Sequence, residues 1–144
     1  SNFADGTRRL PHLPVGQNNF RAMTNHRAMR IAAIMGLLAV VLGAFGAHAL
    51  KDTLTRIPNG TGIWEKAVFY QFIHAVMLFV LAMRKPLKRL SWFAFLIGII
   101  LFSGSLYVYA AMQTHWMVYL TPFGGVSFMV GWVCLILSPP AEKD

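Results

Sequence analysis

Charge is scarce in this sequence. Of its 144 residues 12% are charged against 56% hydrophobic, and only five are acidic. A water-soluble domain of this size needs a far more charged surface. The acids Asp5, Asp52, Glu65, Glu142 and Asp144 all lie outside the apolar cores. A proton pump or cation transporter therefore lacks its usual embedded carrier. Cysteine is scarcer still: Cys134 stands alone, which excludes an internal disulfide and leaves a thiol that behaves as a small hydrophobe. There is no Cys-x-x-Cys, no haem-attachment motif, no His-Glu-x-x-His, no carboxylate pair and no glycine-rich phosphate loop. No catalytic residue and no metal ligand is assigned, and the chain reads as a non-enzyme.

What fills the sequence instead is long apolar runs. Four of them cover roughly residues 30–50, 67–83, 90–112 and 118–137. A helix crossing a bilayer needs about 20 largely apolar residues, and with no water in the core its backbone must be satisfied internally. The expected fold is an all-α integral membrane protein, a four-helix antiparallel bundle over 27–138. An extended polar N-terminal arm, 1–26, precedes it, and a short tail, 139–144, follows.

The net charge of +8 raises nucleic acid as a partner, but its distribution argues for a membrane. Arg8, Arg9, Arg21, Arg27 and Arg30 precede the first run, and Arg84, Lys85, Lys88 and Arg89 separate the second from the third. Residues 51–66 carry three basic and two acidic side chains, and "QTHWM" carries only a histidine. Basic loops stay on the side of insertion. Both termini are thus expected on the cytoplasmic face of a bacterial inner membrane, or on the matrix face of a mitochondrial one. The basic groups would meet anionic headgroups.

The first run raises a question of its own. "GAFGAHALKD" ends it with Ala47-His48-Ala49, a pattern like a signal-peptide cleavage site. The run is longer than a signal core of about 7–15 residues. Ala32, Gly36, Ala39, Gly43 and Ala47 also recur on one helical face. Small residues let helices approach closely in lipid, so the segment reads as a retained span. Gly124, Gly125 and Gly131 are read as packing positions in the same way. Met23 offers an internal start, which would make the first 22 residues an extension peculiar to this chain.

Polar side chains inside the spans gather toward one end. His74 falls about 15 Å below Trp64 by helical rise, near mid-bilayer, with Tyr70 and Gln71 above it. Ser103 and Tyr107 on the third span, Thr121 and Ser127 on the fourth, and His48 at the end of the first share that outer half. Two readings stand. The set His48, Tyr70, Gln71, His74, Ser103, Tyr107, Thr121 and Ser127 lines a pocket for a quinone, a lipid headgroup or an ion, or it forms an interhelical hydrogen-bond network. The network is favoured, with Gln71 bonded to a serine or a backbone carbonyl and His74 to Ser127 or Tyr107. No cofactor is required; a bound lipid or quinone is what a pocket would take.

"LGAFGAHALK" (42–51), "WEKAVFYQFIHA" (64–75), "FSGSLY" (102–107) and "TPFGG" followed by "GW" (121–132) resemble the YgdD-like family of small membrane proteins, which also includes the mitochondrial transmembrane protein 256. The resemblance runs from about residue 31 to 137. It implies four membrane helices, retention of the first, and motif positions that include Gly43, Gly46, His48, Glu65, Gln71, His74, Ser105 and Thr121. It implies no biochemical activity, because none is established for the family. Glu65 is expected to complement the dipole at the start of the second helix. The function expected is that of a non-catalytic accessory subunit in a larger membrane assembly of the respiratory or photosynthetic kind. Its partners would be other membrane subunits and lipids, without nucleic acid, and Arg8, Arg9, Phe20 and Arg21 in the arm would contact a partner. The alternative is a small-molecule binding or transport protein that uses the outer-half pocket.

Overall fold

The computed structural model describes the backbone of residues 15–138 and the side chains of residues 25–138. Six α-helices follow one another: α1 (Val15–Ala47), α2 (Lys51–Thr55), α3 (Gly60–Met83), α4 (Arg89–Gly98), α5 (Gly104–Met112) and α6 (Thr121–Ile136). A π-helical turn, Ile99–Ser103, joins α4 to α5, and a 3-10 turn, His115–Leu120, leads into α6. Four segments are long and apolar enough to span a membrane: Asn25–Ala47, Gly60–Met83, Arg89–Met112 and His115–Ile136. The protein is an all-α membrane protein with four spans.

Two boundaries differ from the sequence expectation. Helix α1 begins at Val15, so residues 15–26, placed in the extended arm by their polar composition, are helical. A helix can run past the hydrocarbon into water, which hydropathy does not register. The second helix begins at Gly60 rather than near residue 67, preceded by Asn59 in the left-handed conformation at φ 57°. Asn is among the residues that accept this geometry readily. Arg8 and Arg9 lie outside the described residues. Phe20 and Arg21 fall within α1, and their side chains lie outside the described residues.

The spans pack in chain order, each antiparallel to the next. The first lies along α3, the second against the third, and the third against α6. The two middle spans are the better covered, and the first and fourth flank them. The main core joins Ala28, Ala32, Leu78, Leu81, Trp92, Phe95, Ile99 and Phe128. A smaller one, at the end of the bundle where α1 turns into α3, joins Leu54, Trp64 and Ala110. The short helix α2 supplies Leu54 to it, so the loop between α1 and α3 folds back on the end of the bundle.

Small residues set the spacing, though not all those expected. On α1 the buried face holds Ala28, Ala32, Ala39 and Gly46. Ala32 and Ala39 of the expected stripe are buried, but at its C-terminal end Gly46 takes the place of the exposed Ala47, and nothing lies within 4 Å of a Cβ built at Gly36. Gly43 keeps an ordinary contact, Val68 Cγ1 at 3.4 Å. On α6 a Cβ at Gly124 would run into the backbone of Phe102, and one at Gly131 into the Phe95 ring. At Gly125 the nearest atom is Phe102 Cδ2 at 3.9 Å, so Gly125 is not a close-packing position. Gly98, not anticipated, receives the Phe128 ring.

Backbone cannot yield as a flexible side chain can. Gly124→Ala is therefore expected to cost about 1–3 kcal/mol as an overpacked contact, whereas Gly36→Ala should be neutral or slightly stabilising. Thermal unfolding of the two variants in mild detergent checks the contrast.

Candidate functional site

Several of the polar residues expected in the outer half meet one another or backbone carbonyls as hydrogen-bond partners. Gln71 is buried, and its side-chain amide donates to the backbone carbonyl of Met35 at 2.9 Å. Its own carbonyl accepts the Tyr107 hydroxyl at 2.9 Å. One side chain on the second span thereby joins the first span to the third. Both ends of the amide are used, which is what a buried amide in lipid requires.

His74 is buried and lies flat against Phe128, with ring centroids 3.7 Å apart. Its Nδ1 lies 2.8 Å from the carbonyl oxygen of Tyr70. A carbonyl only accepts, so Nδ1 carries the proton. The indole N–H of Trp132 approaches Nε2 at 3.4 Å, and an indole only donates. One form of the ring satisfies both contacts: neutral, with its proton on Nδ1. The partners expected for His74, Ser127 and Tyr107, are engaged elsewhere. Ser127 donates to the carbonyl of Ala94 at 2.7 Å, and Tyr107 is taken by Gln71.

The remaining members divide. Thr121 and Ser105 share a hydrogen bond of 2.7 Å between the third and fourth spans. Tyr70 packs its ring against Phe102, with centroids 4.6 Å apart. His48 is exposed at the end of α1 and does not join the group. Ser103 is fully buried in the π turn, and its hydroxyl has no hydrogen-bond partner. Among the described residues no cluster of His, Cys, Asp or Glu is suited to a metal ion.

Further cross-links come from tryptophans, which lie outside the expected polar set. Trp64 donates to the Leu42 carbonyl at 2.8 Å, and Trp92 to the Leu78 carbonyl at 3.1 Å. Trp64, from which the depth of His74 is reckoned, is buried, its ring set over Gly46 and edge-on to Tyr107 at 4.7 Å. Buried indole N–H groups seek a partner, a signal available in the sequence. The acceptors are backbone carbonyls, which no residue type announces. Glu65 lies beyond the first turn of α3, where the dipole effect has faded, so the capping role expected of it does not apply.

This arrangement defines a class: a four-span helical membrane protein whose embedded polar groups mainly join its own helices. Residues 42–125 match the family model described as "Protein of unknown function (DUF423)". The UPF0382 membrane protein of Staphylococcus epidermidis (strain ATCC 12228) is 38% identical over 112 residues, covering 75% of this chain and 90% of the relative. The UPF0382 membrane protein YwdK of Bacillus subtilis is 38% identical over 116 residues, 75% of this chain and 91% of its own. The UPF0382 inner membrane protein YgdD of Escherichia coli K12 is 37% identical over 121 residues, 80% and 90% respectively. The chain belongs to this DUF423 (UPF0382) family of membrane proteins. No solved structure matches it.

The Gln71–Tyr107 pair gives a direct energetic test. Tyr107→Phe should cost about 0.6 kcal/mol, the usual value for such a bond in a membrane protein. Gln71→Leu should cost about 1–3 kcal/mol, because it leaves the Tyr107 hydroxyl unpaired as well. The double variant should lose less than the sum of the two, by about 0.6 kcal/mol. A double-mutant cycle on reversible unfolding in mixed micelles measures all three.

Proposed function

We propose that this protein is a non-catalytic scaffold of the inner membrane that works by lateral association with other membrane proteins. The observation that carries the reading is the fate of the embedded donors. Gln71, His74, Trp64, Trp92, Tyr107 and Ser127 all end on an internal partner, leaving none of them available to a substrate. The surfaces available for recognition are the apolar flanks. On the first span Ile34, Leu37 and Val41 are exposed, and on the fourth Phe123, Val126 and Met129. Flanks of this kind face lipid or a neighbouring helix.

Orientation supports the same picture. Arg27, Arg30, Arg84, Lys85 and Arg89 lie exposed at one end of the bundle, which the bias of basic loops assigns to the cytoplasm or matrix. The Escherichia coli relative is named an inner membrane protein, in keeping with an inner-membrane location. The arm bearing Arg8, Arg9 and Arg21 would lie on that side, where it reaches a partner's inner surface. Respiratory or photosynthetic assemblies are the setting proposed.

Photo-crosslinking residues placed at Val41 and at Met129 in intact membranes should yield protein adducts of defined mass, and deletion of residues 1–22 should weaken them. Adducts to lipid alone at both positions would overturn the scaffold reading. For orientation, Lys85→Cys in a Cys134→Ser background should react with a membrane-impermeant maleimide only in inverted vesicles.

A further inference from the structure

Glu65 has no role in the packing described above. It is exposed on α3, beyond the reach of the helix dipole, one residue after the buried Trp64. It is also the one ionisable residue lining a groove of about 380 Å³ between the outer ends of α1 and α3. The groove's floor is built from Gly43, Gly46 and Ala47 on one side and Phe69 and Phe72 on the other. Its volume falls within the range of small-molecule sites, about 300–1,000 Å³.

We propose that this groove holds one acyl chain of a phospholipid whose headgroup carries a primary ammonium, with Glu65 as the headgroup's partner. Three observations converge. The groove is cut into the outer surface of two spans, where hydrocarbon is the surrounding medium. From Glu65 to Phe72 the helix rises about 10 Å, so a chain entering beside the carboxylate passes down the apolar floor toward mid-bilayer. Side chains on a helix lean toward its N-terminus, and the N-terminus of α3 is its outer end. The Glu65 carboxylate is thereby carried up to the level of the headgroups, together with Thr61, one turn above it and also lining the groove.

Charge selects among lipids. Lys51, Arg56 and Lys66 are exposed nearby, yet none of them lines the groove. A carboxylate at the rim favours an ammonium and disfavours a purely anionic head such as phosphatidylglycerol. The small methyl of Ala47 leaves the groove open, whereas the space at Gly46 is taken by the Trp64 ring and that at Gly43 faces Val68. This inference is independent of the scaffold reading, since a resident lipid and a protein neighbour would occupy different faces.

Native mass spectrometry of the full chain in mild detergent tests it, with phosphatidylethanolamine and phosphatidylglycerol of identical acyl chains offered at equal concentration. The expected result is a single bound lipid with phosphatidylethanolamine favoured by about fivefold, the size of one partly exposed charge pair. Glu65→Gln should bring the ratio to about one while leaving some binding of both. Ala47→Phe, which fills the groove from an exposed position, should lower binding of both lipids with the thermal midpoint of the protein kept. Equal occupancy by the two lipids in the unmodified protein, or a preference that survives Glu65→Gln, would overturn the proposal. Lipid binding undiminished by Ala47→Phe would overturn it too, as would a second copy of the chain on this face in place of the lipid.

Discussion

A donor buried in hydrocarbon has to find an acceptor inside the protein, and this bundle meets that demand with backbone carbonyls of the adjacent helix. Trp64 and Gln71 lie two helical turns apart on α3. Their acceptors, the carbonyls of Leu42 and Met35, lie two turns apart on α1, in the opposite chain direction. Continuing by the same interval reaches the buried pair Leu78 and Ala28. The two hydrogen bonds therefore fix an antiparallel register that the apolar contacts continue. Such bonds require the backbones to be close, and the residues along the seam, Ala32, Ala39 and Gly46, permit it. Hydrogen bonding and small-residue packing here form one device, because a bulkier seam would carry the carbonyls out of reach.

The other half of the bundle uses a different solution. Glycines on one helix receive aromatic rings from the next: Gly98 takes Phe128 and Gly131 takes Phe95, while Gly124 meets the Phe102 backbone. His74 is drawn into this aromatic layer and lies flat on Phe128. The π turn at Ile99–Ser103 belongs to the same packing. Its wider winding rotates α5 relative to α4. Trp92 and Phe95 can then face inward below the turn, while above it Tyr107 reaches the second span and Ser105 the fourth.

The four spans were legible because a bilayer imposes length and apolarity, both of which are written in residue type. The meeting of Gln71 and Tyr107 was legible too, since polar residues at one depth of a bundle have few places to go, whereas Ser105, the partner of Thr121, stood outside the expected set. The partners were not. Met35 and Leu42 act through carbonyls common to every residue, so their part in binding Gln71 and Trp64 leaves no compositional trace. The small-residue stripe on α1 was found but misphased at its C-terminal end, because steps of three and four drift around a straight helix and Ala47 leaves the seam as Gly46 enters it. The inward seating of Trp64 was hidden for a related reason: an indole suits both a headgroup belt and a buried donor site, and the facing Gly46 is what seats this one between helices. The helical stretch from Val15 escaped because polar composition says nothing against a helix in water.

Ser103 and Glu65 both stand outside this economy of internal bonds, and their surroundings separate them. Ser103 is enclosed, with a hydroxyl that meets no partner inside a π turn. In a regular helix a serine hydroxyl can bond back to the carbonyl one turn earlier. A π turn displaces that carbonyl, so the same irregularity that aims Tyr107 and Ser105 also leaves Ser103 without its local acceptor. The orphan is thus a consequence of how α5 is turned, a cost internal to the packing. Glu65 has no such explanation. It faces outward, beside an apolar groove, near the N-terminal end of α3. Nothing in the register of α1 and α3 requires it, since Trp64 and Gln71 already fix that register. A charge that the fold does not need, placed where hydrocarbon begins, is accounted for by what lies outside the fold, and there the neighbouring medium is lipid.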